Sequence, residues 1–177
     1  MGTYARGIWS VAAFLLVAGP LTAQDKAEAP PLRMIYAVWK NADGADHAMS
    51  KMSKSAKDQV AAYAVLVKND AGHVEVKKRH NQAGGSAEAL QASEIIDTAI
   101  ARLSAPPKTA EDSAAGYAPN PNSRLSDEDL KKAVTMFGPG QSAVLLLSPK
   151  PAVSDLERSL GTGAQSNAQI MELEVKQ

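Results

Sequence analysis

The sequence contains no cysteine, which excludes disulfide bonds, thiol nucleophiles and cysteine-based zinc sites together. Aromatic residues make up only 5% of the chain, so the core must be aliphatic and rich in Ala, Val, Leu and Met. An excess of either charge is also missing, because 19 basic residues balance 19 acidic ones. Since a nucleic-acid-binding domain needs a basic surface, we predict that the chain binds no nucleic acid.

The remaining composition is that of a globular protein. Hydrophobic residues account for 45% of the 177 residues and charged residues for 21%, which is typical of a folded chain rather than a disordered one. This length provides one domain with a sizeable core and some additional segments.

Residues 1–23 have the pattern of a secretory signal peptide. Arg6 supplies a positive start, residues 8–21 form an apolar run, and Gly19-Pro20 ends the helix before the small residue Ala23. We therefore predict cleavage after Ala23 and a periplasmic or secreted protein. The alternative is an uncleaved membrane anchor, but a spanning helix needs about 20 apolar residues and this run is shorter. The mature chain is expected to carry no transmembrane segment.

The mature chain alternates between strand and helix patterns. A polar tether at 24–33 precedes two uninterrupted apolar runs, 34–39 and 142–147, which suit strands buried on both faces. A stripe with three- and four-residue spacing predicts a helix between 45 and 60. The stripe consists of Ala45, Ala48, Met49, Met52, Ala56 and Val60. The other predicted elements are a strand at 62–67, a hairpin loop at 68–72, a strand with one wet face at 73–77, helices at 86–103, 126–137 and 156–160, and an edge strand at 170–175.

This order predicts a layered α/β (α+β) sandwich, because helices that link apolar strands must cover a sheet face. The first six elements match a ferredoxin-like βαββαβ arrangement with one αβ unit appended. Residues 34–177 then form a single domain with a helical and disordered insertion at 81–125. The helix in this insertion either covers the open sheet face or presents Ile96, Ile100 and Leu103 to a partner. The Pro-rich stretch after it is expected to be mobile.

Three short segments carry a resemblance to a known family. They are Ile35-Tyr36-Ala37-Val38-Trp39 followed by the Ala-spaced helix, Asp70-Ala71-Gly72-His73-Val74-Glu75-Val76, and Phe137-Gly138-Pro139-Gly140-Gln141-Ser142-Ala143-Val144-Leu145-Leu146-Leu147. With these segments the chain resembles the bacterial family called domain of unknown function 1269, whose members are often labelled uncharacterised membrane proteins. The resemblance implies no activity that could be transferred.

One feature of that family is missing from this chain. Family members carry a glycine-rich apolar hairpin between the two halves of the domain, and Gly84-Gly85 stands at its place here. Acidic and basic residues follow this pair at a density that would be costly in a bilayer. The resemblance therefore implies a member in which export replaces membrane insertion.

The glycine motifs do not indicate phosphate binding or catalysis. Gly138-Pro139-Gly140 and Gly161-Thr162-Gly163 each close a helix before a strand, whereas a phosphate-binding loop follows a strand and opens a helix. Ser142 follows a glycine like the serine of a nucleophile elbow, but the second glycine is absent and the segment enters a strand. We therefore predict no catalytic residue, no cofactor and no enzymatic activity.

The histidines show no metal-binding spacing. His47, His73 and His80 form neither a His-x-x-x-His nor a His-Glu-x-x-His motif. Met49 and Met52 follow His47 and could suit copper(I). Both methionines lie on the apolar helix stripe, so we expect them to pack in the core and predict no metal site.

Two basic groups could meet an anionic partner or lipid headgroups. Lys51, Lys54 and Lys57 form a stripe on the helix, and residues 77–80 form a basic run at a strand end. In a neutral chain, such groups are more often a solvated face.

The sequence therefore predicts an exported, non-enzymatic binding or interaction module. It would recognise a protein partner or associate with itself through its sheet edge or the inserted helix. Two alternatives remain. One is a small enzyme or metal carrier that uses dispersed residues such as His47, His73 and Asp70. The other is a peripheral protein bound to an anionic membrane surface.

Overall fold

A computed structural model describes residues 31–81, 87–105, 123–161 and 167–176. The predicted signal peptide, most of the predicted tether, Gly84-Gly85 and most of the Pro-rich stretch lie outside these residues. So do Thr162 and Gly163 of the second glycine motif.

The described residues form five strands and five α-helices. In chain order they are β1 (Leu32–Trp39), α1 (Gly44–Lys51), α2 (Lys54–Lys57), β2 (Ala62–Lys68), β3 (Val74–Asn81), α3 (Ala87–Ser104), α4 (Asp127–Met136), β4 (Ser142–Pro149), α5 (Val153–Gly161) and β5 (Gln169–Glu174). A short 3₁₀ turn, Lys150–Ala152, leads from β4 into α5. The predicted tether extended to residue 33, whereas β1 begins at Leu32.

All five strands form one antiparallel sheet in the order β3-β2-β4-β1-β5. The longest ladder joins β1 to β4 and runs from Leu32 opposite Pro149 to Trp39 opposite Ser142. The prediction of a mixed sandwich of helices and sheet is confirmed in this form, and β5 lies at the edge of the sheet as expected.

The ferredoxin-like topology is not confirmed. In that arrangement the third strand of the chain lies between the first and the second. Here β4 takes this place, since it pairs with both β1 and β2, while β3 lies outside β2. The difference arises from long-range pairing, and the order of elements along the chain does not reveal which strand enters the gap between β1 and β2.

Helices cover both faces of the sheet, and β1 shows this most clearly. Met34, Tyr36 and Val38 point to one face, where they pack with residues of α3 and α4. The alternate residues of β1 point to the other face, which is covered by α1, α2 and α5. We call these the α3/α4 face and the α1/α2/α5 face. Because both faces are covered, β1 and β4 are almost completely buried, as their continuous apolar runs predict.

The helix predicted between 45 and 60 is interrupted, although its apolar stripe is buried or half-buried as expected. Helix α1 ends at Lys51, and Ser53 starts α2 by accepting a hydrogen bond at its Oγ from the Ala56 N–H. A serine with an extended backbone favours the start of a new helix. The predicted apolar stripe therefore runs over two consecutive helices instead of one. Ser126 caps α4 in the same way, as predicted.

Helix α3 covers the sheet, which resolves the two alternatives for the amphipathic segment in the insertion. Ile96 and Leu103 are buried in the core of the α3/α4 face, and Ile100 packs against its border. The same periodicity would place Leu90 on this apolar face, but Leu90 lies elsewhere, because 66% of its surface is exposed. Leu90 lies two residues before Ala92, the first residue of the helix that is described as buried, and therefore on the opposite side of the helix.

Candidate functional site: the edge strand β3

Strand β3 is exposed on both faces of the sheet. Only its first residue, Val74, is half-buried, and the seven residues after it are exposed. Val76 leaves 46% of its surface in contact with solvent, which is unusual for a valine in a strand. The prediction of one wet face is therefore wrong for this strand. β3 lies outside β2 at the end of the sheet, where the helices on either face bury little of it.

A β-bulge interrupts the ladder between β2 and β3. Val65 lies opposite Lys78 and Leu66 lies opposite Val76, so Lys77 is an extra residue without a facing partner in β2. A bulge of this kind increases the local twist of the strand. The Lys77 Nζ donates a hydrogen bond of 2.8 Å to Glu75 Oε2 of the same strand.

Polar contacts attach β3 to the helices on both faces. Arg79 forms a bidentate ion pair with Asp97 of α3 and also donates a hydrogen bond of 2.6 Å to Ser93 Oγ. On the opposite face, Lys78 donates to Asp46 of α1. Because these side chains are substantially exposed, each ion pair contributes little to stability. β3 is thus held mainly by its hydrogen-bonded ladder with β2.

The same contacts reduce the positive charge of the predicted basic run. Lys77, Lys78 and Arg79 each face a carboxylate of this chain. His80 packs beside Tyr63, with 5.3 Å between the ring centroids. The run is therefore an ion-paired surface rather than a free cationic patch. The second basic group lies on α1 and α2, where Lys51 and Lys54 are exposed and Lys57 is half-buried.

The structure does not bring the three histidines together. His73 precedes β3 and His80 is near its other end, so a strand rise of about 3.3 Å per residue separates them by about 23 Å. His47 lies on α1. Within the described ranges, no group of three or more His, Asp or Glu side chains is arranged to hold a metal ion. Met49 and Met52 are buried in the core of the α1/α2/α5 face, as expected for packing residues.

Ser142, which resembles the serine of a nucleophile elbow, has a structural position. It is fully buried, and its Oγ donates a hydrogen bond of 2.6 Å to the Asn41 carbonyl. The same oxygen accepts a hydrogen bond of 2.9 Å from the Ala45 N–H. Ser142 thereby links the start of β4 to the turn before α1 and to the first turn of this helix.

Lys68 forms a second link at this end of the sheet. Its backbone N–H donates to the Gln141 carbonyl, and its own carbonyl accepts from the Gly140 N–H. Its Nζ donates to the Phe137 carbonyl at 2.9 Å and lies 5.6 Å from the centroid of the Phe137 ring. Burial lowers the pKa of the Lys68 amine. In the sheet, Trp39 of the first resembling segment faces Ser142 of the third, and Lys68, just before the second segment, is hydrogen-bonded to Gly140 and Gln141 of the third.

The described part of the chain contains no helix that is long and apolar enough to cross a membrane. No protein-family model, curated protein or solved structure matches the chain. The candidate functional surface is therefore identified from the geometry of the structure alone, in which β3 is exposed on both faces of the sheet.

Proposed function

We propose that the chain is an exported, non-enzymatic interaction module that binds a protein segment by adding a strand to the outer edge of β3. The observation that carries this proposal is the exposure of β3 on both faces, with Val76, the third residue of the strand, uncovered. Among the described strands, β3 pairs with β2 alone.

Strand addition suits this surface because the backbone supplies the recognition. An edge strand presents N–H and C=O groups on its outer side that a further strand can satisfy. Exposed side chains on both faces of β3 leave room for those of an incoming strand. The ion pairs of Lys78 and Arg79 lie on the two faces, so the outer edge between them stays accessible.

Export and family membership are parts of the same proposal. Export is supported by the signal-peptide pattern of residues 1–23. Membership in the family called domain of unknown function 1269 is supported by its three resembling segments, of which the first and the third pair as neighbouring strands β1 and β4. Neither part assigns a reaction to the chain.

The two alternative functions have less support. A metal carrier or enzyme would draw on dispersed residues such as His47, His73 and Asp70, and within the described ranges no such residues form a group that could hold a metal ion. Binding to an anionic membrane would draw on the basic stripe of Lys51, Lys54 and Lys57, of which Lys57 is half-buried. It would also draw on the basic run of β3, whose Lys77, Lys78 and Arg79 are each paired with a carboxylate.

A photo-crosslinking experiment tests the proposal in the cells that produce the protein. The full gene is expressed with a photoreactive amino acid in place of Val76, and the matched control carries it in place of Leu90, which is also an exposed apolar residue. We expect crosslinks to a defined protein segment from position 76 and none from position 90. Equal labelling from both positions, or none from either, would contradict binding at β3. The intact mass of the periplasmic protein tests cleavage after Ala23.

A further inference from the structure

We infer that the strand added to β3 is β3 of a second copy of this chain, antiparallel to the first, with Val76 on the twofold axis. This inference rests on the proposed function of β3 as a docking edge. It joins two five-stranded sheets into one continuous ten-stranded sheet. A twofold contact of this kind is the commonest way in which soluble proteins form dimers.

The order of charges along β3 favours an antiparallel second copy. Glu75 precedes Val76, and the basic residues Lys77, Lys78 and Arg79 follow it. In an antiparallel pair centred on Val76, Glu75 of each copy lies opposite Lys77 of the other. Opposite charges that face each other across two strands stabilise the pairing. A parallel pair in register would instead place every charge opposite an identical one.

The same charges disfavour the neighbouring registers. A twofold axis makes one residue face itself, so each register is defined by that central residue. Centring the pair on Glu75 places two carboxylates face to face, and centring it on Lys77 places two ammonium groups face to face. Like charges directly opposite are destabilising. Among these three registers, only the one centred on Val76 combines an apolar centre with opposite charges on both sides.

The side chains of this register are available in the structure. Val76 is exposed, and the side chains of Glu75 and Lys77 are 53% and 52% exposed. These two residues form one ion pair within each chain, so a dimer would exchange two pairs within chains for two equivalent pairs between chains. Since an exposed ion pair contributes little, this exchange costs little. The net gain comes from new backbone hydrogen bonds and from covering Val76.

The bulge at Lys77 limits how far regular pairing can extend. Beyond it, the strand twists and its side chains change register relative to β2. The regular outer ladder is therefore short and centred near Val76. We expect a dimer that dissociates on dilution rather than a permanent one.

A single-cysteine experiment tests the register directly, because the native chain contains no cysteine. Facing residues in an antiparallel pair have Cα atoms about 4.5 to 5.5 Å apart, which lies within the range for a disulfide bond. Under mild oxidation, Val76→Cys is expected to form a disulfide-linked dimer rapidly. The matched variant Leu90→Cys carries its cysteine at a more exposed position away from the axis and is expected to stay monomeric. Equal rates for both variants would overturn the inference.

Charge reversal provides a second test that needs no oxidation. Glu75→Lys and Lys77→Glu each place like charges opposite one another, so each variant should dimerise about tenfold more weakly than the native chain in analytical ultracentrifugation. A mixture of the two variants should recover the native affinity, because each copy of the pair then supplies the charge that the other needs. A mixture that remains monomeric would overturn the register.

The two proposals fail in different ways. If the native chain is monomeric at all accessible concentrations, while photo-crosslinking at position 76 captures a segment of another protein, the self-pairing inference is wrong and β3 remains a docking edge. If position 76 captures neither the chain itself nor another protein, both proposals are wrong. Circular dichroism of each variant confirms that it is folded.

Discussion

Tyr36→Phe tests the energetics of the sheet core with the loss of one oxygen atom. Tyr36 lies in the middle of β1, is fully buried on the α3/α4 face, and pairs with Leu145 and Met171 in the neighbouring strands. Its hydroxyl group is buried without a hydrogen-bond partner in the described structure. The native chain therefore desolvates a polar group and gains no hydrogen bond in return.

The expected magnitude follows from this missing partner. An unsatisfied buried hydroxyl costs about 1–3 kcal/mol, and the substitution removes that cost. It also leaves a void of one oxygen atom, whose lost packing contacts offset part of the gain. We therefore expect Tyr36→Phe to raise the free energy of unfolding by about 1 kcal/mol. Most substitutions at a fully buried residue lower it.

Urea denaturation followed by tryptophan fluorescence measures this change. Trp39 is buried on the opposite face of the same strand, and the other tryptophan, Trp9, lies in the predicted signal peptide. The cleaved protein should thus report unfolding through Trp39 alone. Tyr63→Phe is the matched control, because Tyr63 is only half-buried and its hydroxyl is not buried without a partner. Its effect should stay within about 0.5 kcal/mol.

The pH dependence provides an independent check. Burial raises the pKa of Tyr36 above its ordinary value of 10.0. The folded chain therefore keeps a proton that the unfolded chain releases above about pH 10, and native stability should fall by about 1.4 kcal/mol per pH unit there through this residue. Tyr36→Phe should lack this part of the slope. A loss of 1 kcal/mol or more at pH 7 would refute the reasoning, because it would mean that the hydroxyl forms a stabilising hydrogen bond.

Three further substitutions test packing and polar contacts by urea denaturation. Gly44→Ala should lower the free energy of unfolding by about 1–3 kcal/mol, because the added Cβ would lie 2.4 Å from the Trp39 Cβ. The control Gly161→Ala should be neutral or slightly stabilising, because its added Cβ meets no atom within 4 Å. Ser142→Ala should lower the free energy of unfolding by about 1–3 kcal/mol, because it leaves the buried Ala45 N–H without an acceptor. The exposed control Ser50→Ala should lower it by less than about 0.5 kcal/mol, and equal losses for both variants would contradict the structural role of Ser142. Arg79→Ala should lower the free energy of unfolding by less than about 1 kcal/mol, while amide hydrogen exchange in β3 becomes faster. Unchanged exchange would show that the Arg79–Asp97 ion pair does not help to hold the strand.

The elements of the fold could be predicted from local patterns in the sequence. The continuous apolar runs correctly indicated β1 and β4, the strands with helices on both faces. The stripe from Ala45 to Val60 correctly indicated a buried helical face, although it gave no sign of the break before Ser53. Apolar periodicity depends on which side chains are buried, and the same stripe fits one helix or two that follow each other.

The order of the strands and the exposure of β3 could not be predicted in this way. The alternation in residues 73–77 suggested one buried face, but burial depends on which helices reach the edge of the sheet. The ion pairs of Lys78 and Arg79 join residues that are distant in the sequence, so the run at 77–80 looked like free positive charge. The bulge at Lys77, which limits the candidate docking edge, leaves no signature in the spacing of residues.

The place of β4 has a consequence for how the chain assembles. β1 and β2 never touch each other as neighbours, because β4 pairs with both of them. A chain that emerges from its amino terminus therefore has β1 without a partner and an isolated β2–β3 hairpin, which is at best marginally stable, until residues 142–149 arrive. Assembly must wait for contacts between distant parts of the chain, which makes folding slow.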